Sequence, residues 1–132
     1  MSFLNINRIM DELKELTKAE EQIMHSLWDI GGGFVKDIIE ILPEPKPAYN
    51  TVSTIVRILE TKGFVDHESF GKSHRYFPKI EKEEYKKLIT GKLLQGYFEN
   101  SASSMLSFFL EEKKLDVQDL DEIMKLIQKH KK

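Results

Sequence analysis

Two breaks divide the first half of the chain into three short helical segments. Gly31–Gly33 ends the first segment, and the proline-rich run Pro43–Pro47 ends the second. Glycine leaves a helix without steric penalty, whereas proline cannot continue one. The breaks therefore predict helices that begin near Thr17, Phe34 and Ala48, a spacing typical of a helix-turn-helix core.

Local signals support the first and third of these helices. Thr17-Lys18-Ala19-Glu20 is a capping box, in which the hydroxyl and the carboxylate each accept a hydrogen bond from a free backbone N–H. The third helix is predicted from Ala48 to Thr61, with Gly63 just after its end. Its apolar side chains recur at helical spacing and form one core-facing stripe, made of Val52, Ile55, Val56 and Leu59.

The pattern changes after Gly63. Phe64–Glu68 and His74–Phe77 are aromatic-rich, partly alternating runs on either side of Ser69–Ser73, which contains a glycine. This pattern predicts a β-hairpin, and a hairpin placed directly after a helix-turn-helix is a wing. We therefore predict a mainly α fold with a small β-hairpin wing. An N-terminal extension (1–16) precedes a winged helix-turn-helix head (17–80), and a helical dimerisation tail (81–132) follows.

Three amphipathic helices are predicted in the tail, and the first is lined by Tyr85, Leu88, Ile89, Leu93, Tyr97 and Phe98. They carry more apolar surface than they can bury on themselves, so we expect an identical chain to cover it. The predicted dimer-interface residues are Tyr97, Phe98, Met105, Leu106, Phe108, Phe109, Leu120, Ile123, Met124 and Ile127.

Composition excludes several classes of function. The chain has no cysteine, which removes disulfides, thiolate zinc sites and a cysteine nucleophile. His67 and His74 could form a cross-strand metal pair, but the sequence places no third ligand beside them, so we expect no metal or cofactor. No catalytic grouping or phosphate-binding glycine loop is present, and no apolar run reaches the ~20 residues that span a bilayer. We expect a cytoplasmic protein that is not an enzyme and does not insert into a membrane.

The distribution of charge favours a nucleic-acid partner. The chain carries a net charge of -2, yet the segment from Pro45 to Lys79 has an excess of basic residues. The polar face of the third helix is short and carries one arginine, and the hairpin adds a basic tip, both suited to DNA. The predicted DNA-binding residues are Lys46, Tyr49, Asn50, Thr51, Ser53, Thr54, Arg57, Lys72, His74 and Arg75.

The chain resembles the BlaI/MecI penicillinase-repressor family from Leu16 to about Gln128. The resemblance is carried by Leu16–Glu21, Leu27-Trp28, Ala48–Thr54, Lys62–Val65 and Gly71–Pro78. It implies a dimeric winged-helix repressor of β-lactamase or related genes that binds a pseudo-palindromic operator through the third helix and the wing. Asn50, Thr51, Ser53, Thr54 and Arg57 would face the major groove, and Lys72–Arg75 would lie on the DNA backbone.

The resemblance also implies release from DNA by proteolysis, which begins with a membrane-bound sensor metallopeptidase. The family's cleaved Asn-Phe bond aligns with Phe108-Phe109, so this chain lacks the asparagine of that position. The metal-sensing branch of the family uses cysteines, which this chain also lacks. The segment before Leu16 is longer than the family pattern, and Met10 offers an alternative translation start.

Two other functions fit the same sequence pattern. A MarR-like regulator would bind DNA and respond to a small ligand held between head and tail. A winged-helix protein-interaction module would not bind DNA at all. Salt-dependent DNA binding separates the second alternative, because phosphate contacts release counterions.

Overall fold

The computed structural model describes residues 15–130, so the predictions for the N-terminal extension and for Met10 lie outside the described residues. The chain forms helices α1 (Lys18–Ile30), α2 (Val35–Ile41) and α3 (Tyr49–Thr61), followed by strands β1 (Val65–Phe70) and β2 (Ser73–Pro78). Helices α4 (Lys82–Tyr97), α5 (Ala102–Glu111) and α6 (Val117–His130) follow. The mainly helical fold with a two-stranded antiparallel wing confirms the predicted fold class.

Helix α1 begins and ends where the sequence predicts. The Thr17 Oγ1 accepts from the Glu20 N–H at 3.2 Å, and the Glu20 Oε1 accepts from the Thr17 N–H at 2.8 Å. This reciprocal pair is the predicted capping box. Gly31 ends the helix in the left-handed region at φ 79°, and its N–H donates to the Leu27 carbonyl.

The core of the head lies between α1, α2 and α3. Leu27, Ile38, Val52 and Val56 are fully buried, and Phe64 fills the corner between α3 and β1. The predicted α3 stripe is confirmed, because Leu59 is also buried and Ile55 packs against the core as a partly buried side chain. Burial of this stripe leaves the opposite face of α3 in solvent.

The wing pairs in the register Val65↔Pro78 through Phe70↔Ser73. Its turn consists of Gly71 and Lys72, so the strands extend further than the predicted runs and include Ser69, Phe70 and Ser73. Gly71 has φ 63°, a conformation that glycine adopts at no steric cost. Gly33 adds an isolated bridge to β2, with its N–H 2.8 Å from the Tyr76 carbonyl, and this bridge ties the α1–α2 loop to the wing.

The described residues form two compact units, which divide within α4 between Ile89 and Thr90. The sequence prediction places the boundary after residue 80, whereas Tyr85 and Leu88 are buried in the core of the first unit. The Tyr85 hydroxyl accepts from the Leu16 N–H at 3.0 Å, and the Trp28 Nε1–H donates to the Ile80 carbonyl at 2.8 Å. These contacts explain why the start of α4 belongs to the head.

The second unit has no fully buried side chain among its described residues, 90–130. Phe98 follows the last residue of α4 rather than lying within the helix, and its ring centre is 5.7 Å from that of Phe108. Helix α6 leaves Met124 and Ile127 more than half exposed, at 54% and 55%. Within residues 15–130, no helix is both long and apolar enough to cross a membrane.

Candidate nucleic-acid interface

The exposed face of α3 is the centre of the candidate interface. Asn50, Thr51, Thr54 and Arg57 are exposed, whereas Ser53 is half-buried at the edge of the wing. Tyr49 is 58% exposed at the first turn, where unpaired backbone N–H groups favour a phosphate. The Arg57 Nε–H donates to the Ser53 carbonyl of its own helix at 3.4 Å.

Helix α3 and the wing border one open cleft of about 390 Å³. Side chains from both elements line it, among them Tyr49, Ser53, Arg57, Lys72 and His74. The predicted residues of the helix and of the hairpin tip therefore share one surface. Lys72 lies in the wing turn itself and is exposed, as a contact to a DNA backbone requires.

Arg75 does not join Lys72 and His74 on this surface. In the hairpin register Arg75 faces Glu68 while His74 faces Ser69, and neighbouring residues of a strand point to opposite faces. The Arg75 guanidinium instead lies over Gly32, where a Cβ would come within 2.8 Å of the Nη2 atom. The prediction of a three-residue basic tip did not take this strand alternation into account.

Lys46 also has a local role. Its Nζ donates to the Glu40 carbonyl at 2.7 Å and to the Leu42 carbonyl at 2.6 Å. These carbonyls lie at the end of α2, where orphan acceptors attract a cation. Lys46 therefore stabilises the turn before α3, and its side chain remains exposed.

Sequence reasoning missed the contact between Glu60 and His67. The His67 Nδ1 lies 2.6 Å from the Glu60 Oε2, and the two side chains connect the last turn of α3 to β1. The His67 ring also meets the His74 ring edge-on, with centres 4.2 Å apart. The alternation of side chains along β1 could have predicted that His67 faces α3. The contact with Glu60 could not be predicted in this way, because it depends on the reversal of the chain at Gly63.

The residues predicted for the dimer interface of the tail differ in their exposure to solvent. Tyr97 is 81% exposed and Phe108 is 47% exposed, whereas Met105, Leu106, Phe109 and Ile123 are half-buried. Leu120, Met124 and Ile127 form the exposed stripe of α6, and the half-buried Ile123 lies beside them. Phe108 and Phe109, the predicted cleavage region, lie inside α5.

Comparison with known proteins identifies the family to which the sequence is similar. Residues 16–129 match the family described as penicillinase repressor. The penicillinase repressor of Bacillus licheniformis is 23% identical over 123 residues, covering 92% of this chain and 96% of that protein. The methicillin resistance regulatory protein MecI of Staphylococcus aureus (strain N315) is 22% identical over 116 residues, covering 87% and 94% of the respective chains.

Among solved structures, the solution structure of the DNA-binding domain of the repressor BlaI is 24% identical and superposes with a TM-score of 0.48. It covers 54% of this chain and 88% of its own. The family assignment depends on the sequence match, which spans both the head and the tail. The chain belongs to the penicillinase repressor family, a family of repressors rather than enzymes.

Proposed function

We propose that this chain represses transcription by binding operator DNA as a dimer, with one head on each half-site. The observation that carries the proposal is the two-sided character of α3. Val52, Val56 and Leu59 have no exposed surface, whereas Asn50 and Arg57 are exposed on the other side of the same helix. A buried stripe fixes the helix rigidly while its polar face stays available to base edges.

The wing supplies the sequence-independent part of the interaction. Lys72 extends from a two-residue turn, and its charge suits a phosphate next to the groove that α3 would occupy. The Gly33–Tyr76 bridge holds the hairpin against the α1–α2 loop, which limits how far the turn can swing. Helix and wing together would position the head, and the Asn50 amide, the hydroxyl groups and the arginine of α3 would provide specificity.

The dimer is supported by the uncovered apolar surface of the tail. One head offers few contacts, but two linked heads gain a high effective concentration at the second half-site. A two-fold symmetric pair of chains would therefore bind a pseudo-palindromic operator. The exposed stripe of α6, which includes Leu120, Met124 and Ile127, is the surface that we assign to the partner chain.

The family assignment supports further details of regulation. The proposed targets are β-lactamase or related resistance genes, the proposed location is the cytoplasm, and the proposed inducer pathway begins with a membrane-bound sensor metallopeptidase. Phe108-Phe109 would be the cleavage region. Because both residues lie within α5, the helix must unwind locally before a protease can bind an extended segment. Intact-mass measurement of the chain after induction tests this step.

The decisive experiment selects genomic DNA fragments with the purified full-length protein, including the promoter of its own operon. We expect enrichment of a two-fold symmetric motif and a steep loss of affinity with salt. Enrichment of a single half-site would contradict the dimeric part of the proposal. Absence of any enrichment at low salt would contradict DNA recognition and favour the protein-interaction alternative.

Arg57→Ala tests whether the exposed face of α3 contacts the operator DNA. We expect it to weaken binding to the selected operator by ~1–3 kcal/mol, the range of an arginine that binds a base edge. Lys86→Ala is the matched control, because Lys86 is an exposed cation of the same unit that pairs with Glu83 on α4. Fluorescence anisotropy on one operator duplex measures both variants. Equal affinities for the two would remove Arg57 from the interface.

A further inference from the structure

The junction between α3 and the wing brings together three side chains with metal-binding donors. Glu60 lies on the last turn of α3, and Asp66 and His67 are consecutive residues of β1. One donor atom from each lies within 4.8 Å of the donors of the other two. The chain reverses between α3 and β1, which brings Glu60 beside His67, and the Asp66 carboxylate lies close to both because its Oδ1 accepts a hydrogen bond from the His67 backbone N–H at 2.8 Å.

The donors of Glu60 and His67 are already close to the spacing that an ion requires. Metal–ligand bonds of ~2.0–2.2 Å at a tetrahedral angle separate two donors by roughly 3.3 Å. The Glu60 Oε2 and the His67 Nδ1 lie 2.6 Å apart, as two atoms that share a hydrogen. An ion would replace this hydrogen and open the pair slightly. Asp66 is exposed, and its Oδ1 accepts a hydrogen bond from the His67 backbone N–H at 2.8 Å, so it would bind an ion through its other carboxylate oxygen or in exchange for this hydrogen bond.

The surroundings provide room for further ligands. His74 comes from β2, and its ring centre is 4.2 Å from that of His67. The open cleft of about 390 Å³ is lined by Glu60, His67 and His74, so water has access to the same position. Two carboxylates with one or two imidazoles form a nitrogen and oxygen donor set, which suits first-row divalent transition metals more than the all-oxygen sites of calcium.

We propose that Glu60, Asp66 and His67 bind a first-row divalent transition-metal ion such as Zn²⁺ at the junction of α3 and the wing. The ion connects the end of the DNA-facing helix to the first strand of the hairpin and thereby fixes the angle of the wing. It also neutralises the Glu60 carboxylate, which lines the cleft together with Arg57 and Lys72. Metal binding stands independently of DNA binding, whereas an effect on operator affinity rests on the proposed function.

Calorimetry of the metal-free, full-length protein titrated with Zn²⁺ tests the site. We expect one ion per chain at micromolar affinity, and at least a tenfold loss of affinity in both Glu60→Gln and His67→Ala. Glu60→Gln keeps a hydrogen-bond acceptor beside His67, which protects the fold while removing an anionic ligand. Circular dichroism confirms that each variant is folded before its titration is interpreted.

His25→Ala is the matched control. His25 also faces a glutamate, since its Nε2 lies 3.6 Å from the Glu21 Oε1, but this pair lies along one helix. We expect His25→Ala to bind Zn²⁺ as the wild type does. Loss of binding in His25→Ala, or unchanged affinity in His67→Ala, would overturn the site and leave Glu60 and His67 as a hydrogen-bonded pair only.

A second arm measures the consequence for DNA. With the operator found by fragment selection, we expect Zn²⁺ to raise the affinity of the wild-type protein at least threefold and to leave Glu60→Gln unchanged. If the protein binds no DNA, the calorimetric result still decides the metal site. If Zn²⁺ binds and operator affinity stays constant, the proposed coupling between the ion and the wing is wrong.

Discussion

Glu20 has two partners, which connect the start of α1 to the residue after α3. Its carboxylate closes the capping box of α1 and also accepts a 2.7 Å hydrogen bond from the Lys62 Nζ, which follows α3. Burial alone would raise the pKa of Glu20. The hydrogen bond from Lys62, the backbone N–H of Thr17 and the charge of Lys62 outweigh it, so the pKa is lowered below its ordinary value.

Lys62→Met is expected to reduce the free energy of unfolding by ~1–3 kcal/mol at neutral pH, because it leaves a buried carboxylate without its cation. A lowered pKa in the folded state gives a contribution that is present above the unfolded pKa and is lost as pH falls through the folded pKa. The difference between wild type and variant should therefore shrink in acid.

Urea denaturation at neutral and acidic pH, at one protein concentration, measures this difference. Lys86→Met is the control, because the Lys86–Glu83 pair is exposed at 61% and 72% and should matter much less. A Lys62→Met effect that stays constant as pH falls would show that lost packing of the lysine stem dominates, not the ion pair.

At the scale of elements, the loop Gly31–Gly33 links helices α1 and α2 to the wing. Gly33 exchanges two backbone hydrogen bonds with Tyr76, at 2.8 and 2.9 Å, and so attaches the loop to β2. Gly32 has φ 153°, a conformation that side chains rarely adopt, and the Arg75 guanidinium covers it. The loop therefore depends on the absence of a side chain at Gly32.

Gly32→Ala is expected to destabilise the head by ~1–3 kcal/mol, because the new Cβ strains the backbone and displaces Arg75. Gly96→Ala is the matched control: nothing lies within 4 Å of its Cβ position, and the residue is inside α4. In a helix, alanine is favoured over glycine by roughly 0.5–1 kcal/mol. Thermal or urea unfolding of both variants checks the contrast.

Adding Arg75→Ala to Gly32→Ala separates the two causes. The guanidinium is the flexible end of its side chain, so its removal should recover only a minor part of the loss. Full recovery of stability in the double variant would mean that the clash with Arg75 causes the loss. The backbone conformation of residue 32 would then contribute little to it.

The elements also show where sequence reasoning succeeds and where it stops. The capping box at Thr17, the end of α1 at Gly31 and the buried stripe of α3 depend on neighbours in the chain, and all three were predicted. The positions of Arg75 and His67 depend on hairpin register and on the chain reversal after α3. These are long-range properties, so the contacts with Gly32 and Glu60 were not predicted.

At the scale of the whole molecule, the tail is the part whose stability needs a partner. Across residues 90–130 no side chain is fully buried, and α6 exposes Leu120, Met124, Leu126 and Ile127. A helix with such a stripe gains most of its stability from packing. We therefore expect the tail to be well ordered only when the proposed dimer forms.

Ile127→Glu places a charge on this stripe and should raise the dimer dissociation constant at least tenfold, because an unpaired charge cannot be buried cheaply. Gln118→Glu adds the same charge to the exposed first turn of α6 and serves as the control. Sedimentation velocity over a concentration series measures both variants. A monomeric wild type at micromolar concentration, or equal dissociation constants for the two variants, would contradict the assignment of the interface.

Because residues 90–130 contain no fully buried side chain, the concentration of the protein in the cell should matter for its activity. When folding of the tail is linked to association, the fraction of competent repressor rises more steeply than the number of chains in the cell. Chains that are newly made or scarce would keep an exposed, poorly protected tail and would be removed first by housekeeping proteases. The copy number of the protein would then set a threshold below which its target genes stay on, even without any inducing signal.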